Sequence, residues 1–300
     1  MTGLWALVRR NVKLYFKDKG TFFTSLITPV ILLVLYVTFL ANVYEDSFRA
    51  ALDAAGASVS DALIKGCVGG QLVSSLLAVS CVTVAFCSNL LMVQDKVSGA
   101  RRDLIIAPVK RATLALAYYL ATLISSLIIC LAATAVSLGY LAAVGWYLTV
   151  ADIAAIVLDV VLLVLFGTAL SSCILFPLST SGQASAVGTV VSAGYGFICG
   201  AYMPISNFST GLQRVLGFLP GTYGTSLLRN HALRGVFAEM SEQGFPDVVV
   251  AAIRDSVDCN LYFFDNRVET GAMYAILGGT IAVLVALYVL LNAFGRRSRG

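Results

Sequence analysis

Charge is what this sequence has least of. Asp, Glu, Lys and Arg make up 12% of its 300 residues against 59% hydrophobic, and mean hydropathy is +0.88. Soluble domains carry about a quarter charged residues, so a water-exposed globular fold is excluded. Histidine is nearly absent. The single copy, His231, has no second ligand at metal spacing and no Ser/His/Asp set around it, and reads as an interfacial polar residue. The phosphate-cradling pattern GxxxxGK[ST] does not occur, so the chain does not itself bind nucleotide phosphates. The seven cysteines form no CxxC. Six sit in or beside apolar runs as small hydrophobes, while Cys259, in a polar segment, leaves pairing with Cys67 or Cys199 open. Alternating ten-residue segments are missing, which excludes a transmembrane barrel. The start does not read as a signal peptide, because its charges extend to Lys19 and the apolar run that follows is too long for an h-region.

What the sequence has instead is long apolar runs, at 22–44, 67–93, 114–141, 151–175, 183–203 and 272–294. Each can cross a hydrocarbon core of ~30 Å at ~1.5 Å per helical residue. The expected fold is an all-α integral membrane protein, one transmembrane domain over 1–300 with six transmembrane helices. Residues 1–21 read as an N-terminal amphipathic interfacial helix. Arg9, Arg10, Lys13 and Lys17 fall on one arc, and Leu4, Trp5, Leu7, Val8, Leu14, Tyr15 and Phe16 fill the rest, which suits the headgroup boundary of an anionic leaflet. Pro29 is expected to kink the first span. Between spans five and six, 206–270 is too polar to cross. Two short apolar stretches meet at Pro220-Gly221, and the interval from Arg214 to Arg229 offers only about 21 Å of helix. A re-entrant outer hairpin is expected there, followed by an acidic exposed cap over 239–269.

With six spans, both ends and 94–113 share one side. That side holds thirteen of the twenty Lys and Arg residues, and the acids concentrate on the other. The positive-inside rule places both termini in the cytoplasm of a multi-pass protein of the cell (inner or cytoplasmic) membrane. The basic patches then face anionic lipid, and nothing points to nucleic acid.

Three sets of residues stand out. The segment 94–113, QDKVSGARRDLIIAPVKRAT, is short and basic, with Asp95, Lys96, Gly99, Arg101, Arg102, Leu104, Ile105, Pro108, Lys110 and Arg111. Ser98 can cap a short helix here. An apolar tip beside an arginine pair suits docking into another protein's cleft, and a plain positive-inside anchor is the other reading. Ala184, Gly188, Ser192, Gly196 and Gly200 recur every four residues, a stripe that lets two helices approach, within the subunit or across a dimer. Asp159 is a carboxylate well inside a span, on the face of Ala155, Gly167 and Ser171. Such groups are costly in lipid. A structural hydrogen bond is favoured over a substrate or proton role.

With Asp95-Lys96, Gly99, Leu104-Ile105-Ile106, Pro108 and Lys110-Arg111, then LP at 219–220 and LLR at 227–229, the chain resembles a permease of the ABC-2 type, the membrane subunit of one class of ATP-binding-cassette transporters. The resemblance runs the whole length. It implies a half-transporter: a second permease copy beside it, a separate ATPase subunit under each, ATP and Mg on that ATPase, and no cofactor on this chain. Segment 94–112 would be the coupling helix. Spans one, two and five would line the path, with Gln71, Asn89 and Tyr195 as polar candidates along it and Asp159 as a fourth. Export of a drug-like, lipid or peptide substrate is implied. The rival is an ion-driven carrier with no ATPase, which would want more intramembrane charge than Asp159.

Overall fold

In lipid the backbone must satisfy its own hydrogen bonds, and helices do so segment by segment. The computed structural model describes residues 2–42, 44–46, 49, 60–106, 109–264 and 266–294, and these are helical apart from turns and one small β-hairpin. Helix α1 (Thr2–Lys17) meets α2 (Lys19–Leu35) at a bend of 72°. Asp18 sets the start of α2: its carboxylate accepts from the N–H groups of Gly20 and Thr21 and from the Thr21 hydroxyl. These donors, the Thr21 hydroxyl first, hold the Asp18 carboxyl below its ordinary range. Pro29 lies inside α2, and the chain leaves α-geometry later, in a wide π turn at Tyr36–Leu40.

The remaining helices are α3 (Asp61–Val97), α4 (Ala100–Ile106), α5 (Arg111–Val144), α6 (Val150–Leu175), α7 (Ser181–Ile198), α8 (Thr210–Leu216), α9 (Pro220–Glu242), α10 (Asp247–Ser256) and α11 (Thr270–Phe294). The strands β1 (Leu261–Phe263) and β2 (Asn266–Val268) pair antiparallel, with Leu261 opposite Val268. By length and composition α3, α5, α6 and α11 can cross a membrane, and the bent pair α1–α2 would make a fifth. The run at 22–44 is helical over its described residues, passing from α2 through the π turn into a further helical stretch, whereas the run at 183–203 yields a shorter helix than expected. Helix α7 has 18 residues rich in Ser and Gly, ~27 Å in length.

Helix α3 is the centre. It packs against α2, α5, α6, α7 and α9, and every residue from Leu63 to Asn89 except Lys65 is buried. A helix buried on all sides has no polar stripe, as its sequence reads. Gly70 permits the crossing with α9, since a Cβ there would lie 2.5 Å from Leu233.

The region after α7 departs from expectation. The break does fall at Pro220, but the two arms are unequal, 7 residues in α8 and 23 in α9. Thr225, Leu228, Arg229, Ala232, Leu233, Val236, Phe237 and Met240 recur at three- and four-residue spacing and are buried. That face carries α9 far past the short arm. Residues 239–269 are not simply an exposed cap either: Met240, Val250, Ile253, Val257, Cys259 and Leu261 are buried. No disulfide forms among the described residues, and all seven cysteines are free and buried.

Candidate functional site

The last turn of α3 carries adjacent residues of opposite charge. Neighbours on a helix point ~100° apart, so Asp95 and Lys96 reach different elements. Asp95 turns into the bundle, where Arg10 of α1 donates through both terminal nitrogens (2.8 and 3.3 Å). The Tyr118 hydroxyl of α5 donates to the same carboxylate at 2.6 Å. One buried acid thus joins α1, α3 and α5, and it raises the pKa of Arg10. A paired guanidinium fork of this kind is among the stronger polar contacts. Lys96 instead donates to the carbonyls of Phe176 and Leu178, with its ammonium 5.4 Å from the Phe176 ring. A cation there meets the unsatisfied carbonyls at the end of α6.

Ser98 closes α3 rather than capping α4 as expected. Gly99 then takes φ +83°, a left-handed position that favours glycine and lets the chain leave α3 at once. The short helix α4 follows. Arg102 and Asp103 are exposed and Ile106 is 83% exposed, whereas Arg101 and Leu104 are half-buried against the bundle. Pro108 and the side chain of Ile105 lie outside the described residues.

About 30 Å along α3 from Asp95, a second cluster surrounds Arg229 of α9. This fully buried guanidinium donates to Asp258 (3.1 Å), to the Gly200 carbonyl (2.5 Å) and to Ser75 of α3 (3.2 Å). Asp258 also accepts from the N–H groups of Ile205 and Ser206. Burial pushes the Asp258 carboxyl up, and Arg229 and these N–H groups oppose the rise. The cluster ties α3, α9 and the turn after α7 to the end of α10.

Asp159 has both oxygens engaged. His231 Nδ1 lies 2.6 Å from one and the Tyr274 hydroxyl donates to the other at 2.7 Å. His231 is thus part of the contact between α6, α9 and α11. Nearer the start of α6, Arg234 pairs with Asp152 at 2.5 Å. Asn89 donates to Ser171 and Ser172, a link between α3 and α6. Gln71 and Tyr195 are buried, with side-chain atoms that have no hydrogen-bond partner among the described residues. The four polar candidates thus divide, among the described residues, into two that bind neighbouring helices and two that do not.

The small-residue stripe also divides. Ala184 is buried, and a Cβ on Gly196 would strike the Tyr202 ring at 2.2 Å. Gly200 takes φ +74° beyond the end of α7. Gly188 faces open space, with nothing within 4 Å of a Cβ placed there, and Ser192 is half-buried. An apolar cavity of about 640 Å³ lies between α2, α3 and α5, lined by Phe22, Leu26, Leu33, Leu76 and Ile129 among others. Sequence reasoning placed Arg10 on a basic lipid-facing arc and missed its pairing with Asp95, and it missed Tyr118 and Asp258. Asp258 stands 29 residues from Arg229 with no periodic relation to it, so no spacing signal marks the pair.

Residues 2–232 match the family profile described as ABC-2 type transporter. No curated protein is similar enough to the chain to match it.

Proposed function

Because the chain belongs to the ABC-2 type transporter family, a family of membrane transport components that work with an ATP-binding-cassette partner, we propose that it is the permease of an exporter. Two copies pair, and each engages a separate ATPase subunit that holds ATP and Mg. In this reading α2 and α7 complete six spans beside α3, α5, α6 and α11, both termini are cytoplasmic, and α4 is the coupling helix. The observation that supports it best is the arrangement around Gly99. Asp95 and Lys96 fix the end of α3 to three neighbouring helices, and directly beyond them α4 turns Arg102, Asp103 and Ile106 outward. A partner that moved α4 would move the end of the central helix with it. The path runs between the two copies along α2, α3 and α7, with α8 and α9 as an outer gate, and Gln71 and Tyr195 are the polar groups left to face cargo. The apolar cavity against α3 favours a drug-like or lipid substrate. An ion-driven carrier is the weaker alternative, because both oxygens of Asp159 are already engaged.

The outward residues define the test. Arg102→Glu with Ile106→Asp should leave the protein inserted in the membrane but abolish substrate-stimulated ATP hydrolysis of the complex with its ATPase. Stimulation at wild-type rates in that double variant removes the coupling assignment. Failure of the wild-type chain to associate with an ATPase in lipid removes the exporter reading.

A further inference from the structure

Arg101, unlike Arg102, faces the bundle. It lines a cavity of about 50 Å³ together with Arg111, Tyr118, Phe176, Tyr288 and Asn292. Its Nε is buried without a partner. Among the described residues neither Arg101 nor Arg111 forms a hydrogen bond or an ion pair, while the carboxylates nearby are committed or turned away. Asp95 already holds Arg10 and the Tyr118 hydroxyl. Asp103 is exposed and sits ~200° around α4 from Arg101. The other donors are engaged as well: the Tyr288 hydroxyl donates to the Ala115 carbonyl and the Asn292 amide to the Tyr288 carbonyl. What remains, among the described residues, are two guanidinium groups lining one small space with no carboxylate paired to either: Arg101 is half-buried with its Nε enclosed, and Arg111 stands on the exposed side. An enclosed N–H without an acceptor is unfavourable, and two like charges beside it favour an anion as that acceptor.

Its shape and place narrow the choice. Guanidinium forks match phosphate oxygens. The space holds roughly the volume of two water molecules, enough for a compact group and too little for a nucleoside. The cavity lies where α5 begins, α6 ends and α11 ends, three helices long and apolar enough to span. Lipid headgroups sit at that level. We propose that this cavity binds a phosphate group, carried by an anionic phospholipid or free in solution, which bridges Arg101 of α4 to Arg111 of α5. Bound phosphate then clamps α4 to the bundle. That consequence rests on the coupling-helix reading, whereas the binding needs no ATPase.

The full-length chain is reconstituted with equal amounts of phosphatidylcholine and phosphatidylglycerol, and the phospholipid retained after mild-detergent extraction is counted by native mass spectrometry. Wild type should retain phosphatidylglycerol preferentially, and Arg101→Gln with Arg111→Gln should lose that preference by about tenfold. The double lysine variant should fall between, since it keeps charge but not the fork. Arg111 is exposed, so Arg111→Gln alone disturbs little packing and should show a partial loss. In parallel, inorganic phosphate is added and the thermal unfolding midpoint followed. Selective lipid retention that depends on the arginines, with no response to phosphate, assigns the site to lipid. An arginine-dependent rise in midpoint with no lipid preference assigns it to free phosphate. Equal behaviour of wild type and both glutamine variants in both assays overturns the proposal. Arg102→Glu with Ile106→Asp should retain lipid as wild type does, which keeps a failure here distinct from a failure of coupling.

Discussion

A single carboxylate, Asp95, holds three helices, and its removal tests how much of the architecture depends on it. Asp95→Ala leaves Arg10 partly buried and unpaired and takes the acceptor from Tyr118. Breaking a fully buried pair costs ~3–5 kcal/mol; with Arg10 about a third exposed solvent screens part of this, and removing the second charge returns part of the remainder. Denaturation in detergent should therefore show Asp95→Ala strongly destabilised, with Asp95→Ala plus Arg10→Gln less so than the sum. Additive losses would mean that Arg10 and Asp95 do not act as a pair. The Asp95-Lys96 pair was legible in the sequence as an acidic-basic step, but its targets were not, because Arg10 is 85 residues away and the carbonyls held by Lys96 carry no side-chain signature. Asp159 meets Tyr274 and His231. The His231 partner was not legible because nothing local to it reports a carboxylate 72 residues away.

At the scale of elements, the apolar runs announce α3, α5, α6 and α11, whose length and hydropathy speak for themselves. The less apolar region after α7 was harder to read. Its long arm α9 is set by an apolar face interrupted by Arg229, a charge that argues for a surface until Asp258 is known to meet it. Helix α9 also depends on small residues where it crosses other backbone. A Cβ at Gly235 would lie 1.8 Å from the Tyr147 carbonyl oxygen, so Gly235→Ala must displace the connection between α5 and α6. Overpacking of this kind costs ~1–3 kcal/mol. The expected outcome is a lower thermal midpoint for Gly235→Ala, with little change for Gly139→Ala, where a Cβ meets nothing. Equal midpoints would place the 145–149 connection elsewhere. The β-hairpin at 261–268 escaped notice because strands of three residues are too short to show a period.

The whole molecule exposes α7 along much of its length, and the proposed pairing of two copies could use the open space at Gly188. If it does, Gly188→Cys should give a disulfide-linked dimer when membranes are treated with a mild oxidant, whereas cysteine at Gly139 on α5 should not. Monomer only at Gly188, with efficient labelling of the introduced thiol, would place the dimer contact on another helix. Composition was enough to read the membrane class, but pairing between subunits leaves only a stripe of small residues in a sequence, and a stripe does not say which partner fills it. The largest consequence belongs to α3. It is 37 residues long, ~55 Å, pinned at one end by Asp95 and Lys96 and braced through Ser75 to the Arg229 cluster. A stiff beam braced at Ser75 would rock about that point: a tilt of about 5° moves the far arm, ~21 Å long, through ~2 Å at its tip. A push on the α4 end would therefore reach the opposite end of α3 reversed in direction and somewhat reduced in size.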